Sequence, residues 1–149
     1  LTDGICVLAI KLKNSTVGKQ NKSQSTARNW NILSNNDARY KLVIFDDESH
    51  FSSPVWADVP GRSWCQYANN ITMLGNWGAN TDYNVIQDGF VVGAQGAGSG
   101  TNQISAINNP SATIHQNYDS TQSQVMALIA YKLKTDATVR GTISWDEIK

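Results

Sequence analysis

Gln124-Val125-Met126-Ala127-Leu128-Ile129-Ala130-Tyr131-Lys132-Leu133 is the stretch whose reading decides the fold. Its length alone permits a short helix over residues 125–134. Val125, Ile129 and Tyr131 argue otherwise, because β-branched and aromatic side chains lose χ1 freedom in a helix and pack well on a pleated surface. The polar turn sequences on either side agree, and the stretch reads as the longest strand of the chain. No other segment carries a helical pattern longer than two turns, so the expected fold class is all-β.

Outward from that strand, apolar residues recur mostly at period 2 between Gly, Asn, Asp and Pro, the mark of short antiparallel strands. Residues 113–117 alternate, and residues 104–107 lie before the Asn108-Asn109-Pro110 turn. Residues 83–86 and 90–94 form the arms of a hairpin with Asp88-Gly89 at its tip. Residues 63–67 and 71–74 flank an Asn69-Asn70 turn. Residues 40–45 are stopped by Asp46-Asp47-Glu48, and residues 138–144 form the last strand. Residues 5–13 place Cys6, Leu8, Ile10 and Leu12 on one face. Residues 14–39 read as a long polar excursion, and residues 49–62, with Pro54 and Pro60, read as loop or sheet edge. About nine short strands near ten residues apart favour an antiparallel β-sandwich. A chain of 149 residues suits a single domain, 1–149, with one hydrophobic core. Its opening on Leu1-Thr2-Asp3-Gly4 reads as a fragment of, or a product processed from, a longer chain.

Lys plus Arg and Asp plus Glu number 12 each, for a net charge of zero, while Asn, Gln, Ser and Thr make up 49 of the residues. A nucleic-acid binder needs a basic footprint that this composition lacks. No apolar run approaches the roughly 20 residues of a membrane-spanning helix. Neither nucleic acid nor membrane is an expected partner.

No motif identifies a reaction. The run from Gly93 to Gly100 has no Lys and opens no helix, so it does not resemble a phosphate loop. His50 and His115 stand in no metal-ligand or nucleophile pattern, and of the two glutamates, Glu48 and Glu147, neither lies in an apolar run. Asp46, Asp47 and Glu48 are hard oxygen ligands close enough in sequence to hold calcium, and equally serve as a solvated strand end. Cys6 and Cys65 read either as buried thiols or as one disulfide. No metal or cofactor and no enzymatic activity are expected. Asn14, Asn21 and Asn70 open Asn-x-Ser/Thr sequences.

Five tryptophans carry the binding expectation. Trp30, Trp56 and Trp77 sit among amides and carboxylates, where an exposed indole stacks on the C–H face of a sugar while neighbouring polar groups fix its hydroxyls. Trp30, Trp56, Asn76, Trp77 and Tyr118 are accordingly the candidate ligand-binding residues. Trp64 and Trp145 lie in alternating segments and are expected in the core.

The segments Tyr67-Ala68-Asn69-Asn70-Ile71-Thr72, Tyr83-Asn84-Val85-Ile86-Gln87-Asp88-Gly89-Phe90-Val91-Val92-Gly93 and Met126 through Val139 carry a resemblance. From about Trp64 onward their order resembles the C-terminal head domains of bacteriophage tail fibres and related receptor-binding tail proteins. Ile86-Gln87 stand where that pattern has Pro before Asp-Gly, and Thr135 stands where it has Gly before Asp. The resemblance implies a jelly-roll-like sandwich that assembles as a homotrimer with other virion proteins, outside the cell, and attaches to a host-surface glycan or protein. It brings no catalytic residues. A secreted lectin or carbohydrate-binding module, and a capsid decoration or baseplate component with a purely structural role, are the alternatives.

Overall fold

A computed structural model of the chain describes residues 4–14, 22–74, 83–93, 101–106, 112–117, 122–134 and 136–148. Among the described residues ten strands follow one another: β1 (Ile5–Leu12), β2 (Gln24–Ser34), β3 (Ala38–Phe45), β4 (Ala57–Asp58), β5 (Cys65–Thr72), β6 (Tyr83–Val91), β7 (Thr101–Ala106), β8 (Thr113–Ile114), β9 (Val125–Lys132) and β10 (Val139–Ile148). They form a six-stranded sheet of order β4-β5-β1-β9-β3-β6 and a smaller sheet of order β10-β2-β7, with β8 also paired to β2. Every pairing is antiparallel. The protein is an all-β sandwich. The chain crosses between sheets at β1 to β2, β2 to β3, β6 to β7, β8 to β9 and β9 to β10, which produces the jelly-roll-like interleaving β1-β9-β3-β6. The pair β4-β5 instead extends the larger sheet beyond β1.

The core between the sheets joins Ile10, Leu12, Tyr40, Leu42, Met126 and Leu128 of the larger sheet to Ala27, Trp30, Ile32, Ile114 and Ile143 of the smaller. At about 25 cal/mol per Å² of apolar surface, this burial is the main term holding the sheets together. The larger sheet is apolar on its other face as well. There Cys6, Ala9, Val43, Phe45, Ala68, Ile71, Ala127 and Ile129 form a second cluster. The segment after β3 folds over it: Phe51 meets Phe45 edge to face with centroids 5.4 Å apart, and His50 lies 4.8 Å from the same ring. β9 lies between β1 and β3 and has a covered face on each side, so seven of its eight residues are buried. That is why it reads as a continuous apolar run.

Four sequence expectations are corrected. The excursion at residues 14–39 contains β2, the longest strand with 11 residues. Its buried face carries Ser25, Ala27 and Ser34 beside Trp30 and Ile32, small or polar residues that mask the alternation. Asp88-Gly89 is no hairpin tip: β6 runs straight through it, paired to β3 with Tyr40 opposite Gly89. Gly is needed there for space, because a Cβ at position 89 would lie 2.7 Å from Tyr40 Oη. Residues 63–67 and 71–74 do not flank a turn; Asn69 and Asn70 continue β5, although Asn70 takes a left-handed φ of 51°. Cys6 does not share a face with Leu8, Ile10 and Leu12, because the β1–β9 register shifts between Cys6 and Leu8 and turns Cys6 into the second cluster.

Candidate ligand recess at the β4–β5 edge

Of the five expected binding residues, Trp30 and Trp56 lie within the described residues, and they pack against different clusters, Trp30 in the main core and Trp56 on the second. Trp30 is fully buried in β2, its ring 4.4 Å from that of Tyr40 and its Nε1–H donating to Gln87 Oε1. It is a core residue with no face open to a ligand. Trp56 is half-buried against the second cluster, with Lys11 Nζ 4.7 Å from its centroid. Lys11 also binds Glu48 at 2.9 Å. Buried Trp56 Nε1–H has no hydrogen-bond partner. Asn76, Trp77 and Tyr118 lie outside the described residues. Trp145 packs partly against the main core and Trp64 is half-buried.

The acidic run disperses. Asp47 Oδ1 accepts the Ser49 N–H at 2.9 Å, and Ser49's hydrogen bonds hold the Asp47 carboxyl below its ordinary range. Glu48 turns to Lys11, and His50 is buried on the aromatic cluster. Cys6 and Cys65 are free thiols buried on opposite faces of the larger sheet. Burial pushes the Cys65 thiol up to about 11, and its Sγ lies 3.0 Å from Ser25 Oγ. Beside it Glu147 ties β10 to the start of β5. Its Oε2 accepts the Trp64 backbone N–H at 2.9 Å, and its Oε1 accepts from Ser63 Oγ and, at 3.0 Å, from Trp145 Nε1–H. Burial pushes this carboxyl up, but the hydrogen bonds outweigh it and hold Glu147 below its ordinary value.

The recess arises from an interruption in the sheet. Phe51 bridges Met73, and Ala57 and Asp58 pair with Tyr67 and Gln66. Equal numbers of residues separate the two contacts on each strand, so the register on one side of the gap continues on the other. Between them the segment 53–56 arches away from β5. Ser53 takes a left-handed φ of 47°, which is uncommon outside glycine, and Pro54 has no N–H to offer a ladder.

β5 changes on its side too. Successive residues of a regular strand direct their backbone groups to alternate edges. Cys65 and Thr72 are an odd number of positions apart, yet their carbonyls accept from the same neighbouring segment, from Val59 N at 3.1 Å and Ser52 N at 2.9 Å. Asn70 supplies the reversal: its left-handed φ of 51° is a conformation Asn adopts more readily than most residues. Arch and reversal together open a recess of about 400 Å³, lined by Ser52, Ser53, Tyr67, Asn69, Asn70 and Thr72, with Val55, Ala57 and Ala68 as apolar wall.

That lining carries hydroxyls, amides and one phenol, and no carboxylate, imidazole, thiol or cation. Its ends are pinned by the ladder pairs at Phe51–Met73 and Ala57–Tyr67. A second polar surface lies on the solvent face of the smaller sheet, where Asn31 stands opposite Thr142 and Asn29 opposite Ser144.

The sequence signal for the recess was present in Pro54 and in Asn69-Asn70, read there as loop and turn. No family model matches the chain, and no curated protein or solved structure matches it at a significant level.

Proposed function

We propose that this domain is a non-enzymatic attachment module of the phage tail-fibre head type, which holds a host-surface glycan or protein and works as a homo-oligomer in a virion. The observation that carries the reading is the neutral, hydroxyl- and amide-lined recess on the sandwich edge. Such a lining recognises a ligand through hydrogen bonds and shape, and a site pinned at both ends loses little ordering entropy on binding. Rigid β scaffolds with variable edges are common carriers of recognition sites. The resemblance of residues 64–139 to tail-fibre heads supplies the virion setting.

A glycan array probed with the purified domain tests the reading, followed by titration of each bound glycan into Asn69→Ala and Thr72→Val variants. Both positions are exposed, so folding is retained. The reading predicts array signal and at least about tenfold weaker binding in one variant, roughly 1.4 kcal/mol. Light scattering supplies the second arm. A trimer supports the virion setting, whereas a glycan-binding monomer points to a free-standing lectin. Failure to bind any glycan or host-surface protein overturns the reading.

A further inference from the structure

The same recess narrows the chemistry of its occupant, and the step rests on the attachment reading above. We infer that it takes the acetamido group of a neutral N-acetylated sugar.

The first ground is the interrupted ladder. β5 pairs with the neighbouring segment at Gln66 and Tyr67 and again at Met73, in one continuous register, and between these contacts the segment 53–56 withdraws. What it vacates is the ladder position opposite residues 68–71 of β5, where a partner's peptide groups would otherwise lie. A strand edge is complemented by a planar group that carries one N–H and one C=O, because backbone donors and acceptors are strong and seek partners. An acetamido substituent is such a group.

The second ground is closure. Peptides commonly bind sheet edges by adding a strand. Here the segment rejoins β5 on both sides of the gap, so an extended peptide has no path through it. A compact, terminal amide has one.

The third ground is the lining. Val55 and Ala57, both exposed, offer a small apolar wall for a methyl group. Ser52, Ser53, Asn69, Asn70 and Thr72 offer donors and acceptors for ring hydroxyls, and Tyr67, half-buried against the main core, borders the recess. With no charged side chain in the lining, a carboxylate or sulfate would lose hydration without gaining an ionic partner. Neutral sugars are therefore favoured over acidic ones.

Titration of the isotopically labelled full chain with N-acetylglucosamine and N-acetylgalactosamine, with glucose and galactose as parents, tests the inference by amide chemical shifts. N-acetylneuraminic acid and an N-acetylated dipeptide amide are the charged and peptide arms. The acetamido sugars are expected to shift Ser53, Asn69 and Asn70 and to bind at least about tenfold more tightly than the parent hexoses. Asn69→Asp, which places a charge at an exposed position of the wall, is expected to weaken them further.

Equal binding of parent hexoses in the recess, preference for the acidic sugar or dipeptide, or no shift at these residues overturns the inference. Array binding whose shifts fall on the smaller sheet, at Asn29, Asn31, Thr142 or Ser144, overturns it while leaving the attachment reading standing. Absence of any glycan or protein ligand sinks both.

Discussion

Gly93 lies against the backbone of Asn36: a Cβ at position 93 would sit 2.2 Å from Asn36 Cα and 2.4 Å from its carbonyl carbon. The contact is locked by the Gly93 N–H, which donates to Asp37 Oδ1 at 2.9 Å. It joins the end of β6 to the β2–β3 turn. Backbone cannot swing aside as a side chain can, so Gly93→Ala must move one strand end. The expected cost is about 3 kcal/mol, the upper range of overpacking. For a domain of this size that lowers Tm by roughly 6–12 °C, measurable by thermal melts followed by circular dichroism. An unchanged Tm would contradict the contact.

Gly89 tests the other glycine of β6. It faces Tyr40 Oη and is flanked by the Arg39–Asp88 pair, whose two hydrogen bonds measure 3.1 and 2.7 Å. If space is its role, Gly89→Ala destabilises by about 1–3 kcal/mol and Tyr40→Phe, which removes the nearest atom, recovers part of the loss. Had Asp88-Gly89 been a hairpin tip, the second substitution would rescue nothing. A double-mutant cycle in urea distinguishes the two.

Two tryptophans with opposite hydrogen-bond status give a paired expectation. Trp30→Phe removes the hydrogen bond to the half-buried Gln87 side chain and leaves a gap beside Tyr40, so a loss of about 1–3 kcal/mol is expected. Trp56→Phe removes an N–H that has no partner, and stability is expected to stay within about 0.5 kcal/mol or rise. Chemical denaturation of both variants checks this. The reverse order would mean that the roles of the two indoles are exchanged.

Glu147 sets a pH dependence. Its folded-state carboxyl lies below its unfolded value because Ser63, the Trp64 N–H and the Trp145 indole donate to it against the opposing effect of burial. A depressed carboxyl contributes stability that is fully present above the unfolded value, about 4.3, and is lost as pH falls through the lower folded value. Glu147→Gln should therefore lower stability at pH 7 and flatten the decline below about pH 4.3. The group is partly exposed, so solvent screening keeps the effect modest. Parallel acid melts of the two proteins would expose an error in the sign.

The features legible in the chain were those whose cause is local. Residues 125–132 announced a strand because the choice of Val, Ile and Tyr acts residue by residue. The same held for β1 and β3, whose apolar residues sit a few positions apart. Pro54 and Asn70 were visible as interruptions for the same reason, since each alters its own backbone. β2 is masked in the sequence because Ser25, Ala27 and Ser34 are small or polar, and only the larger sheet packed across it makes that face a buried one. Trp30, set between two asparagines, has the local sequence of an exposed ring, and only the packing across the sheets buries it.

Fold class was thus written into the sequence, because side-chain alternation and turn chemistry need no distant partner. Placement was not. Whether Gly89 turns the chain or clears a path for Tyr40 depended on what lies across the strand. Whether Cys6 faces the core depended on a register shift against β9. The recess likewise required Phe51–Met73 and Ala57–Tyr67 to share a register across a gap, a relation between residues distant in sequence. Such relations are settled by packing, which acts on whole faces and strand edges and leaves no mark on any single residue.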